Sequence, residues 1–359
     1  MKFKAYCRVV HRWLGLAGGL IILLVCTSGV LLAFHMQLEE WLDRDLRRAS
    51  AEVSVTPQLA LDGACSQLRE GELPTRFYLP EHPGQNFKVR LQQGTNRRHL
   101  YVDAATGRSV GEGSELVSGL INFHRRLLLG ETGRYITTLG ALLFLTSQWS
   151  GLLLALPRKW RDWKQAITIS RKTRSRLLYD LHRTLGVYGL LFVTFLGCSG
   201  LLMSPLEDRL EHWLYRLAGR QPAPRPASGP GSEPIRLDQA IAQAQAVFPQ
   251  AQVLAVNLPR KPADTFQVAL RHPGQPGPVP RSFVYVDQFS GQVLASENAL
   301  ERTGVDSYLR TWNFALHTGM AFGLLHQLLW LVVALIGASL PVTGFILWYR
   351  GQRRKSSST

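Results

Sequence analysis

His11-Arg12-Trp13-Leu14-Gly15 and, 171 residues further on, His182-Arg183-Thr184-Leu185-Gly186 are the stretches on which the fold turns. Each opens an apolar run. Four windows, 14–34, 135–157, 184–205 and 311–349, contain no Asp, Glu, Lys or Arg. Each is long enough to cross a roughly 30 Å hydrocarbon layer as a helix. The match continues outward: Ser28-Gly29 returns as Ser199-Gly200, Phe123-His124 as Leu316-His317, Gly130 as Gly323 and Gly151 as Gly344. The chain is therefore a span, a long connection and a span, written twice. Two spans per copy give both copies the same orientation, with the symmetry axis along the membrane normal.

The charge agrees with that reading. The 359 residues carry 41 Lys and Arg against 25 Asp and Glu, a formal net charge of +16. Residues 1–13 hold +4, residues 157–183 hold +7 and the tail after Tyr349 holds +4, whereas 35–120 and 204–310 come to −2 and +1. Basic short segments stay in the cytoplasm, which puts both termini and the 157–183 loop inside and the two long connections outside. A nucleic-acid partner would require the charge on one folded face, so none is expected. A simple soluble enzyme is excluded. The basic start and 21-residue apolar run read as an uncleaved signal anchor. Only Cys65 of Cys7, Cys26, Cys65 and Cys198 falls in an outer connection, and CxxC is absent. That excludes a disulfide framework, a zinc ribbon and c-type haem attachment.

The outer connections repeat as well. Phe87-Lys88-Val89-Arg90-Leu91 matches Phe266-Gln267-Val268-Ala269-Leu270, and Tyr101-Val102-Asp103 before Thr106-Gly107 matches Tyr285-Val286-Asp287 before Ser290-Gly291. Helices are predicted over 57–69 and 237–247. Strands with alternating burial are predicted over 76–79, 87–91, 99–102, 252–258, 265–270 and 282–286, and the Asp-to-Gly segments read as turns. The Pro/Gly/Ser-rich stretch 219–234 reads as a flexible linker.

Six of ten histidines fall at span ends: His11, His35, His124, His182, His317 and His326. His11 matches His182 at the cytoplasmic ends, and His124 matches His317 at the external ends. A pseudo-two-fold axis sets each pair face to face. Two imidazoles from facing helices suit a six-coordinate haem iron, whose macrocycle fills the other four positions. Zinc or copper would need further N, S or O ligands, and no carboxylate or thiol accompanies these histidines at helical spacing, Cys7 aside. Haem b, two per chain, fits better. His317 and His326 lie nine residues apart, on opposite faces of a straight helix, and serve one site only if the helix breaks, for which Gly319 and Gly323 are placed. His35 and His326 are second-choice ligands. Arg12, Arg125, Arg126 and Arg183 flank the histidines and are candidate propionate partners. The span glycines read equally well as ordinary helix packing.

These segments, HRWLGL, FHRRLLLGETGR, DLHRTLG and LHTGMAFG, together with the paired YVD-x-x-[TS]-G turns, resemble the PepSY-associated transmembrane proteins, the bacterial iron-regulated membrane proteins. The resemblance implies an α-helical integral membrane protein: a four-helix transmembrane bundle from a tandem repeat, with two small α+β periplasmic PepSY-like domains. The expected layout is 1–34 for the N-terminus and first span, 35–120 for the first periplasmic domain and 121–157 for the second span. A cytoplasmic loop at 158–181 follows, then 182–205 for the third span, 206–310 for the second domain, 311–349 for the fourth span and 350–359 for a cytoplasmic tail. The resemblance further implies a ferric-siderophore reductase of the bacterial inner membrane, whose haems carry electrons outward to release ferrous iron. No dinucleotide fingerprint is present, so the donor is expected to be a quinol or a separate reductase. Two other readings compete: a non-enzymatic accessory whose PepSY-like domains bind a protease or assembly partner, and a transporter of the chelate, ranked last because the spans lack an acidic residue for ion coupling.

Overall fold

The computed structural model describes residues 2–52, 54–157, 159, 162–224, 226–275 and 281–356. Parts of the basic loop (158, 160, 161), of the linker (225) and of the tail (357–359) lie outside the described residues. In chain order the helices are α1 (Lys2–Leu32), α2 (His35–Leu42), α3 (Pro57–Cys65), α4 (Glu115–Arg126), α5 (Gly130–Ala155), α6 (Trp163–Ala166), α7 (Arg174–Leu201), α8 (Glu207–Leu217), α9 (Leu237–Val247), α10 (Gly304–Ser307), α11 (Asn313–His317) and α12 (Gly323–Ser356). The strands are β1 (Leu73–Tyr78), β2 (Phe87–Gln93), β3 (Asn96–Val102), β4 (Ser109–Glu112), β5 (Gln252–Asn257), β6 (Thr265–Arg271), β7 (Ser282–Asp287) and β8 (Val293–Glu297). The chain divides into two compact units, residues 1–33, 119–213 and 316–359 in one and 34–118 and 214–315 in the other.

The first unit is a four-helix bundle. Its helices α1, α5, α7 and α12 are each long and apolar enough to cross a membrane. α1 packs on α5 and α12, and α7 packs on the same two, which closes a ring. Without a hydrophobic drive between helices in lipid, close approach through small residues supplies the packing. A Cβ on Gly140 would lie 2.5 Å from Ile21, one on Gly189 2.8 Å from Ile336, and one on Gly197 2.9 Å from Leu145. Those glycines are packing residues.

Two chain breaks separate short helices from the spans. Between α4 and α5, Leu127 and Leu128 adopt φ of 50° and 60°, and Gly130 follows at 59°. Two consecutive leucines in the left-handed region cost on the order of 1–3 kcal/mol each, so the surrounding structure holds this corner. Between α11 and α12 the break uses Gly319 (φ 79°) and Gly323 (φ 67°) instead. The break falls between His317 and His326.

The second unit joins the two expected small α+β modules through one sheet. All eight strands form one antiparallel sheet in the order β4-β3-β2-β1-β5-β6-β7-β8. The two copies meet at β1 and β5, with Phe77 opposite Val256 on the axis. Two four-stranded halves each left an edge that would pair with other chains, and fusing them removes it. One face is covered by α3 and α9, whose Ala60, Ala64, Ala240 and Ala244 let the helices lie close on Phe77, Val89, Val102, Val256, Val268 and Val286. The helices cap each other: Gln58 N donates to Asp238, and Leu237 N donates to Gln58 Oε1. Strands β4 and β8 escaped the sequence reading because their sequences, SVGE and VLASE, lack a buried face.

Both Asp-to-Gly turns form. Asp103 accepts from Ala105 N, Thr106 Oγ1 and Ser50, and Asp287 accepts from Phe289 N, Ser290 N and Gly229 N. Gly107 and Gly291 supply the positive φ, 71° and 73°. The 219–234 stretch is not a free linker. Gly229 is tied to Asp287, and Ser228 bonds Ala263 O, Asp264 O and Gln288 N.

Candidate functional site

Two histidine pairs lie at opposite ends of the bundle. His11 on α1 faces His182 on α7 with ring centroids 6.1 Å apart. His124 on α4 faces His317 on α11 at 6.5 Å. His11 and Ser28, which anchor the two ends on α1, are 17 residues apart, about 25 Å of helix rise.

All four imidazoles are held in the same way. His11 Nδ1 lies 3.0 Å from Ser147 O and 3.1 Å from Ser150 Oγ. His182 Nδ1 is 2.8 Å from Thr343 Oγ1, His124 Nδ1 3.0 Å from both Ser28 Oγ and Val25 O, and His317 Nδ1 2.8 Å from Ser199 Oγ. Each hydroxyl already gives its own hydrogen to a backbone carbonyl: Ser150 to Ser147 O, Thr343 to Ser339 O, Ser28 to Leu24 O, Ser199 to Leu196 O. The hydroxyls must then accept, and the imidazoles donate through Nδ1–H. A neutral ring that protonates Nδ1 leaves its lone pair on Nε2. Among the described residues Nε2 of these four makes no hydrogen bond.

The residue after each hydroxyl is glycine, and the ring rests on it. A Cβ on Gly151 would meet His11 Cε1 at 3.0 Å, one on Gly344 His182 Cε1 at 3.2 Å, one on Gly200 His317 Cε1 at 3.3 Å, and one on Gly29 His124 Cε1 at 3.5 Å. These four glycines thus separate from the packing glycines. The sequence reading missed the cradle, although its signal is visible. Within the four apolar windows a Ser/Thr-Gly dipeptide recurs at repeat-related positions, Ser28-Gly29 with Ser199-Gly200 and Ser150-Gly151 with Thr343-Gly344.

A cavity of about 520 Å³ adjoins the His11–His182 pair. Arg12 and Arg183 line it, and so do Lys4 and Arg8, which the sequence reading did not single out. Among the described residues the buried Nε of Arg12 has no hydrogen-bond partner. Arg183 pairs with Asp180 at 2.9 Å. At the other end Arg126 is paired with Glu131, and Arg125 reaches Met203 O at 3.4 Å. His35 opens α2 in the sheet unit, and His326 packs between Phe322 and Trp330. Among the described residues no group of three His, Cys, Asp or Glu side chains could hold a metal ion. The arrangement sets two facing pairs of Nδ1-bonded imidazoles, one pair at each end of the bundle.

Comparison with protein families matches residues 8–350 to the PepSY-associated TM region. Comparison with the curated proteins finds no match.

Proposed function

Because this chain belongs to the PepSY-associated transmembrane family and is a multi-pass membrane protein, we propose that it is a haem b electron carrier of the bacterial inner membrane that reduces ferric siderophore on the outer side. The observation that carries the reading is the fourfold imidazole cradle. Imidazole nitrogen binds a metal at roughly 2.0–2.1 Å, so two facing rings that held one metal between them would have centroids about 6.3 Å apart. The two pairs stand at 6.1 and 6.5 Å. Two nitrogens satisfy an iron only when a macrocycle supplies the other four, so the residues present fit haem better than a bare ion.

His11 and His182 would hold one group and His124 and His317 the other. Bound haem iron cycles between ferric and ferrous and so passes single electrons. The chain's own residues set the terms. Ser150, Thr343, Ser28 and Ser199 fix the tautomer and aim the rings, the outer-sphere role that tunes a ligand histidine. Arg12, with Arg8 and Lys4 beside it, supplies cationic partners for carboxylates at the His11 end. Spans one and three carry His11 and His182 at one end and Ser28 and Ser199, which hold His124 and His317, at the other. A quinol or separate reductase is the donor. Each electron reduces one ferric ion, so a two-electron donor serves two chelates, and ferrous iron leaves because siderophores hold it weakly.

Oxidised and dithionite-reduced absorbance of the purified protein tests this. About two haems per chain with bis-imidazole bands are expected, and His11→Ala with His182→Ala halves the content. A colourless, iron-free protein from haem-replete cells would refute the proposal.

A further inference from the structure

The sheet face away from α3 and α9 is electrostatically lopsided. On β1 and β2, Arg76 stands directly opposite Arg90, and Tyr78 opposite Lys88. The Arg76 guanidinium lies 5.0 Å from the Tyr78 ring centre, and Lys88 Nζ lies 4.8 Å from it. Like charges placed directly opposite across a ladder are destabilising. The nearby acids do not relieve them. Glu39 is bonded to Lys88 at 3.0 Å, and Glu81 is paired with Arg271 at 3.1 Å. Among the described residues Arg76 and Arg90 have no carboxylate within 4.0 Å. Among the same residues Arg90 Nε reaches Thr75 Oγ1, and the buried Nε of Arg76 has no partner. Burial holds the Arg90 pKa below its ordinary value, as do Arg76 and Arg260, while Tyr78 opposes them.

The duplication supplies an internal control. Phe77 and Val256 are equivalent and pair on the axis, so Arg76 corresponds to Ala255, Tyr78 to Asn257, Lys88 to Gln267 and Arg90 to Ala269. The second copy builds the same strands, with an equivalent bulge, from neutral residues. The fold therefore does not require the cations. Across the seam, Tyr78 is opposite Ala255 and Arg76 opposite Asn257. The cations thus stand beside the neutral Ala255 and Asn257 of the other copy.

We propose that this half of the sheet is the recognition site for an anionic, carboxylate-bearing ferric chelate, with Arg76 and Arg90 as its charged donors. The inference rests on the reductase reading and names the substrate class for it. Guanidinium forks match carboxylates bidentately, and the Tyr78 ring stands between the Arg76 guanidinium and Lys88 Nζ.

The test separates binding from redox chemistry. Full-length protein in non-ionic detergent is titrated with the gallium(III) complex of citrate, which cannot be reduced, and with a cationic gallium tris-hydroxamate. The expected result is binding of the anionic complex that weakens as salt rises. It should drop roughly tenfold or more for Arg76→Gln and again for the Arg76→Gln/Arg90→Gln double variant, with the Soret band unchanged. Equal binding of the cationic complex, or unchanged binding by the double variant, overturns the proposal. Loss of the Soret band in the double variant would assign these cations to haem propionates, and Arg76-dependent binding of phosphatidylglycerol alone would assign them to lipid. Either also overturns it. A haem-free wild type that still binds gallium citrate through Arg76 would sink the reductase reading and leave this site standing.

Discussion

Replacing the four cradle glycines by alanine should produce a graded response, in the order of their distances to the rings. In Gly151→Ala the new Cβ sits 3.0 Å from His11 Cε1 and 3.4 Å from Nδ1. Comfortable carbon–carbon contact begins near 3.5 Å, so the ring must retreat by about 0.5 Å. Its bonds to Ser147 O and Ser150 Oγ, now 3.0 and 3.1 Å, then stretch to about 3.5 Å, where a hydrogen bond is effectively lost. That costs about 1 kcal/mol, and the helix-propensity gain of Gly→Ala returns about 0.5–1 kcal/mol. Stability should therefore hardly change, while the ligand loses its aim. Haem affinity at the His11 end should fall about tenfold or more, the usual cost of a lost outer-sphere partner. Gly344→Ala (3.2 Å) and Gly200→Ala (3.3 Å) should lie between, and Gly29→Ala (3.5 Å) should be silent. The assay is the pyridine-haemochrome ratio of haem to protein, beside a melting curve. Full haem content in Gly151→Ala, or equal loss in Gly29→Ala, would show that the glycines do not set ring position.

Thr343→Val keeps the shape but removes the acceptor of His182 Nδ1–H; haem at that end should weaken about 10- to 100-fold, read by haem transfer to apomyoglobin. Glu72 is held near pKa 2 by its hydrogen bond with Arg98 at 2.6 Å, against the opposing effect of burial. A depressed carboxylate stabilises above its unfolded pKa of about 4.3 and loses this as pH falls toward 2, so Glu72→Gln should cost about 3 kcal/mol at pH 7 and flatten the acid limb of urea unfolding. His99, lowered to about 4 by burial and by Lys88 with Glu39 opposing, should stay neutral at pH 7. Its stabilising share should disappear as pH drops from about 6.5 to 4, and NMR titration of its ring protons reads this directly. Asp287→Asn should free Gly229 and raise proteolytic nicking between residues 219 and 234, with little change elsewhere.

Repetition and hydropathy were legible because both are local or copied properties. The spans follow from uncharged windows, and the histidine equivalences follow from aligning one half of the chain with the other. Helix 237–247 and the paired Asp-to-Gly turns were readable from local signals of the same kind. Three things were not. The fused sheet depends on β1 meeting β5, residues about 180 positions apart, and nothing in either strand names its partner. The left-handed Leu127 and Leu128 contradict their own preference and are tolerated only by surroundings that hold them. The cradle glycines looked like the packing glycines beside them, since a missing side chain does not say whether a leucine or an imidazole will occupy the space.

The sequence by itself determined that this chain crosses a membrane four times as a duplicated unit and that its histidines come in matched sets, because charge avoidance in lipid and inherited symmetry leave marks on every residue. Only the tertiary structure decided that each imidazole is locked through Nδ1 over a Ser/Thr-Gly step, and that one half of a shared sheet gathers cations its twin omits. Hydrogen-bond direction and the neighbour of a charge are properties of three-dimensional contact, and a linear order cannot encode them singly.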